Sequence, residues 1–133
     1  MTHEADFVCD TAGDMMLVRV RGEIDHHTAA RVRNGIDGAL FEKRPRRLIL
    51  DMSAVSFMDS SGLGLIMGRL SVVRELGGSL TVKNPSEAIS RIIRLAGMDK
   101  ILDIEYDGGQ APAQPKAARR RRKVVRTEGK VAK

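Results

Sequence analysis

The chain has 133 residues, a formal net charge of +6, one cysteine and 42% hydrophobic residues. That length holds one domain of ordinary size, and no apolar run nears the roughly 20 residues that span a bilayer. No secretory leader is visible and Cys9 has no second cysteine to pair with, so a soluble cytoplasmic protein without an internal disulfide is the expectation.

In chain order, Asp6–Asp10 is a short apolar stretch suited to an edge strand, with Cys9 as a small buried hydrophobe. Thr11-Ala12-Gly13-Asp14 is turn material. In Met15–Arg21, Met16, Val18 and Val20 alternate with Leu17, Arg19 and Arg21, the period of a half-buried antiparallel strand. These two strands are expected to form a hairpin. Gly22-Glu23-Ile24-Asp25-His26-His27-Thr28 then leads into a helix with Ala29, Val32, Ile36, Ala39 and Leu40 on its inner face, capped by Asp25 or Thr28. The pair His26-His27 has no Cys or third His at ligand spacing, which argues against a metal site.

Lys43-Arg44-Pro45-Arg46 stops that helix. Arg47–Asp51 follows with the unbroken run Leu48-Ile49-Leu50, suited to a central parallel strand covered on both faces. From Leu63 onward, Ile66, Met67, Leu70 and Val73 recur at helical intervals until Gly77-Gly78. Ser79–Lys83 reads as another strand, and Asn84-Pro85-Ser86 as the turn and cap of a third helix. Ala88, Ile89, Ile92, Ile93 and Ala96 form its apolar stripe and Gly97 its stop. Leu102–Tyr106 alternates again as a last strand. The order implies an α/β domain over residues 1–107, with a mixed sheet of about four or five strands backed by helices.

Past Asp107 the composition turns to Gly, Pro and Gln and then to a basic run. Nine Lys and Arg residues between Gly108 and Lys133 face only Glu128, a net +8 that leaves −2 for Met1–Asp107. Residues 108–133 are therefore expected to be a disordered tail, either a solvated extension or a weak, non-specific contact with nucleic acid or another anion. With no aromatic among the basic residues, base stacking is not implied.

The junction between the central strand and the second helix, Met58-Asp59-Ser60-Ser61-Gly62, carries the chemistry. It offers two hydroxyls and a carboxylate where the first N–H groups of a helix lack internal partners. Asp59 or Ser60 can cap the helix. The same place suits a phosphorylation switch, because a helix N-terminus favours an added anion. Gly62, Gly64 and Gly68 permit close backbone approach or are tolerated helix glycines.

Gly22-Glu23-Ile24-Asp25-His26-His27-Thr28-Ala29 together with Ser56-Phe57-Met58-Asp59-Ser60-Ser61-Gly62-Leu63-Gly64 resembles the bacterial anti-sigma factor antagonists of the STAS-domain family. The similarity is greatest to the sporulation type that acts on the anti-sigma F factor. It spans roughly Phe7 to Tyr106. It implies a regulatory protein rather than an enzyme, with no cofactor. Its partners would be an anti-sigma factor serine kinase and a serine phosphatase, with phosphorylation of Ser60 ending kinase binding. On the same match, Asp25, His26, His27, Asp59, Ser60, Ser61, Gly62 and Leu63 form the partner-facing surface. Ser61 is the rival acceptor. The family's C-terminal amphipathic helix has no clear counterpart after Gly108. A STAS regulator of another circuit and a nucleic-acid binder acting through the tail are the alternative functions. A serine hydrolase is disfavoured, since neither Ser60 nor Ser61 stands in a Gly-x-Ser-x-Gly elbow.

Overall fold

The structure, a computed structural model, describes residues 5–109, so the basic segment expected as a tail lies almost entirely outside the described residues. Five strands form one mixed sheet in the order β1-β2-β3-β4-β5. β1 (Asp6–Ala12) and β2 (Met15–Ile24) form the expected antiparallel hairpin. Its turn is only Gly13-Asp14, because Thr11 and Ala12 pair with Met16 and Met15, and Gly13 takes the left-handed conformation that so tight a turn needs. From β2 onward the pairing is parallel, through β3 (Arg47–Met58), β4 (Ser79–Lys83) and β5 (Asp103–Glu105).

The central strand is much longer than Leu48-Ile49-Leu50 suggested. β3 continues beyond Asp51 to Met58. Between Arg19 and Ile24 its pairing with β2 shifts register at two places, each inserting one extra residue in β3. Such bulges break the alternation by which a strand is read from sequence.

Three helices connect the parallel strands: α1 (His26–Lys43), α2 (Ser60–Glu75) and α3 (Glu87–Leu95). Val32, Ile36 and Leu40 of α1, Leu65, Ile66, Leu70 and Val73 of α2, and Ile89 and Ile93 of α3 all join one core cluster. The strands supply that cluster with cross-strand rungs. Met16, Leu48 and Leu80 make one, and Val18, Leu50, Val82 and Ile104 the next. Ala29, Ala39 and Met67 are only half-buried.

The α3 stripe needs correction: Ala88 and Ala96 are exposed, and Ser90 is buried instead. The Ser90 hydroxyl accepts from Arg94 Nη1 at 3.0 Å and from the Tyr106 hydroxyl at 3.3 Å, so a polar side chain is satisfied where the pattern asked for an apolar one. The caps at Ser86 and the left-handed stop at Gly97 are as expected.

The opposite face of the sheet carries a row of alternating charge, Arg19, Asp51, Lys83 and Glu105, aligned across β2 to β5. Arg19 Nε reaches Asp51 at 3.3 Å, and Arg47 Nη2 reaches Thr81 Oγ1 at 3.1 Å and Glu105 at 3.4 Å. Ile49 lies on this face and is buried, but outside the main cluster.

Glycine roles divide. A Cβ on Gly35 would come within 2.5 Å of the Phe7 ring, so its absence lets β1 close onto α1. Gly62 is buried against the Met58 side chain, whereas Gly64 and Gly68 face open space and are tolerated helix glycines.

One charged pair is buried between α1 and α2. Arg69 Nε lies 3.0 Å from Asp37 Oδ1 with the guanidinium only 4% exposed. The contact lacks hydrogen-bond alignment, and Arg69 Nη1 has no hydrogen-bond partner among the described residues. Burial pushes the guanidinium below its usual range, Asp37 opposes that, and nearby Arg33 adds to it. Removing one member of such a pair strands the other, while an apolar replacement of both does not. Asp37→Ala should therefore cost about 3 kcal/mol in urea denaturation, and the double variant Asp37→Leu with Arg69→Met should recover most of it.

Candidate functional site

The site is built where β2 and β3 end. Their last rung pairs Ile24 with Met58, and the Asp59 N–H donates to the Ile24 carbonyl at 3.2 Å. The next residue in each chain segment is an aspartate, so Asp25 and Asp59 cap α1 and α2 side by side. The helices then run parallel, since Asp37 meets Arg69 further along both.

Asp25 is the N-cap and Thr28 completes the box rather than capping. Asp25 Oδ1 accepts from the N–H groups of His27 at 2.9 Å and Thr28 at 3.0 Å, and the Asp25 N–H donates to Thr28 Oγ1 at 3.0 Å. The Thr28 hydroxyl in turn donates to the Glu23 carbonyl at 3.0 Å, tying the cap to the strand end. The bond from the Thr28 N–H is the main cause holding the Asp25 carboxyl below the usual carboxylate range.

At α2 the cap is Asp59, whose Oδ1 accepts from the Ser61 N–H at 2.8 Å. Ser60, the first helical residue, is exposed, and its hydroxyl makes no hydrogen bond among the described residues. The two serines thus differ. Ser61 is half-buried and turned toward α1, where it lines a groove with His26, Ala29, Ala30 and Arg33 of α1 and Gly64 of α2, above Leu65.

Of the residues expected to face a partner, Asp25, His26, His27, Asp59, Ser60 and Ser61 come together here. Gly62 is buried and Leu63 packs against the core, so these two support the site from below. The His26 and His27 rings lie 4.0 Å apart, and among the described residues no His, Cys, Asp or Glu cluster could hold a metal. Arg33, Ala30 and Phe57 escaped the sequence reading. His26, Ala29, Ala30 and Arg33 do recur at helical spacing, but nothing in the sequence tells that α2 stands beside that stripe. Phe57, 50% exposed just before the junction, adds an apolar surface to it.

A family model described as the STAS domain matches residues 7–111. The chain belongs to the STAS family. This STAS protein is 37% identical over 93 residues to an anti-sigma F factor antagonist of Paenibacillus polymyxa, covering 70% of this chain and 79% of that one. It is 36% identical over 94 residues to the anti-sigma-B factor antagonist of Bacillus subtilis, covering 69% and 84%. In fold it is similar to the anti-sigma factor antagonist SpoIIAA in its unphosphorylated form, with a TM-score of 0.67, 26% identity and coverage of 93% and 97%. The phosphorylated form of the Bacillus protein SpoIIAA matches with a TM-score of 0.60, 28% identity and coverage of 74% and 90%.

The Asp25 cap makes a pH-dependent contribution with a defined sign. Because the folded Asp25 carboxyl titrates below its ordinary value of 3.8, its contribution is complete above that value and is lost as pH falls through the lower folded value. Asp25→Ala should lower stability at neutral pH, because the N–H groups of His27 and Thr28 lose their acceptor. Urea denaturation repeated from pH 7 to pH 2.5 should show the difference from wild type shrinking at the acid end.

Proposed function

We propose that this STAS protein is an anti-sigma factor antagonist that works by partner switching at Ser60. In its unphosphorylated form it binds an anti-sigma factor that is also a serine kinase, and the sigma factor is released. Phosphorylation of Ser60 by that kinase ends the complex, and a serine phosphatase restores the binding form. The domain performs no catalysis itself.

The observation that carries this reading is the division of labour at the junction. Asp59 caps α2, which leaves the Ser60 hydroxyl exposed and without a hydrogen-bond partner among the described residues. A phosphate there adds roughly −1.5 to −2 charges, at the positive end of a sixteen-residue helix that favours an anion. The fold therefore accommodates the modification. A docked complex does not, because a desolvated charge without a partner costs several kcal/mol, roughly a thousandfold in affinity. The names of the relatives support the antagonist role, and a structural neighbour has both phosphorylated and unphosphorylated forms. Those relatives include antagonists in both sigma-F and sigma-B circuits, so the sigma factor released here depends on docking details outside the shared motif.

Ser61 is a poorer acceptor on this reading, since it is half-buried in the groove. Incubation with a cognate anti-sigma kinase and ATP, followed by phosphopeptide mapping, should place the phosphate on Ser60. Ser60→Ala should bind the kinase with wild-type affinity by calorimetry and resist modification. Ser60→Asp should fold normally and bind at least tenfold more weakly, a loss of about 1.4 kcal/mol or more. Wild-type affinity in the Asp variant would sink the proposal.

A further inference from the structure

Building on the reading that Ser60 carries the phosphate, we infer that the groove between α1 and α2 is the seat of that phosphate, with the Arg33 guanidinium and the His26 ring as its partners. Ser60 and Gly64 are four residues apart on α2 and so share one stripe of the helix, a single turn apart. Gly64 lines the groove, and a Cβ built on it meets no heavy atom within 4 Å. The way from the Ser60 hydroxyl into the groove is open.

Across the groove, α1 presents His26 at its first turn and Arg33 two turns further along, with only Ala29 and Ala30 between them. Arg33 is exposed, and among the described residues its hydrogen bonds are two contacts of 3.4 Å to the neighbouring Asn34 Oδ1, at the outer limit of such bonds. Long helical side chains lean toward the N-terminus of their own helix. In parallel helices with adjacent N-termini, that lean carries the guanidinium toward the Ser60 end. A planar guanidinium suits two phosphate oxygens at once.

Negative groups stand nearby as well. Asp25 and Asp59 cap the two helices, and Glu23 is the next-to-last residue of β2. Each capping carboxylate keeps Oδ1 on backbone N–H groups, which fixes it in place. Arg33 and His26 offset their repulsion of the phosphate. The modified serine then folds back over the groove and occupies the surface a partner would use, so phosphorylation acts by filling the docking site as well as by charging it.

The test uses the full chain with phosphoserine installed genetically at position 60, followed by phosphorus NMR titration of that phosphate. Cations beside a phosphate favour its dianion and lower its second titration midpoint. Arg33→Gln should therefore raise the midpoint by about half a pH unit, and His26→Gln should raise it as well. Lys100→Gln, an exposed cation beyond α3, should leave it unchanged. The helix ends and the carboxylates of Asp25, Asp59 and Glu23 are the same in every variant, so only the difference between variants is diagnostic. Equal midpoints in the unsubstituted protein and in both groove variants would overturn the inference. Kinase binding that is insensitive to phosphoserine 60 would instead overturn the switch itself, whatever the titration shows.

Discussion

The rung pairing Ile24 with Met58 is the constraint on which the site depends. Parallel strands that end at the same level must hand the chain to their helices at the same level, and here each handover begins with an aspartate. The Asp59 N–H held by the Ile24 carbonyl ties the two handovers together. Two helix N-termini, each with unsatisfied N–H groups and a partial positive charge, are thereby set beside one exposed hydroxyl. Without the two extra residues bulged out of β3, Met58 would not align with Ile24, and the α2 N-terminus would meet β2 at another height.

Much of this was legible from residue patterns, and the exceptions have physical causes. Period-two alternation in Met15–Arg21 showed the hairpin, and helical spacing with Gly77, Gly97 and Pro45 as punctuation located the helices. The far half of β3 was invisible because bulges put Ser53, Ala54, Ser56 and Phe57 on the exposed side without alternation. Arg69 is charged and sits on the inner stripe of α2, where propensity alone predicts a hydrophobe. Only its neighbour Asp37, on a different helix, explains it. Whether Asp59 or Ser60 caps α2 was equally open in the sequence, since both residue types cap well. The groove was beyond reach for the same reason as Arg69: it belongs to two helices at once.

The sheet is unequal on its two sides. Among the described residues all three helices feed a single apolar cluster, whereas the other side carries ion pairs around the buried Ile49. Parallel sheets usually have both faces covered by apolar packing. Here Asp51, Thr81 and Glu105 are buried on that face, with Arg19 paired to Asp51 and Arg47 reaching Thr81 and Glu105. The consequence for the site is mechanical. Core packing that fixes α1 and α2 lies directly beneath the groove, so the groove inherits the rigidity of the interior.

Because Asp59 and not Ser60 satisfies the first turn of α2, the Ser60 hydroxyl can be substituted without removing any hydrogen bond found among the described residues. Cells clear proteins according to the fraction that is unfolded, and that fraction is set by stability. The proposed modification of Ser60 would thus not shorten the molecule's lifetime. On the proposed switch, such a regulator would be turned off and on chemically many times without being resynthesised.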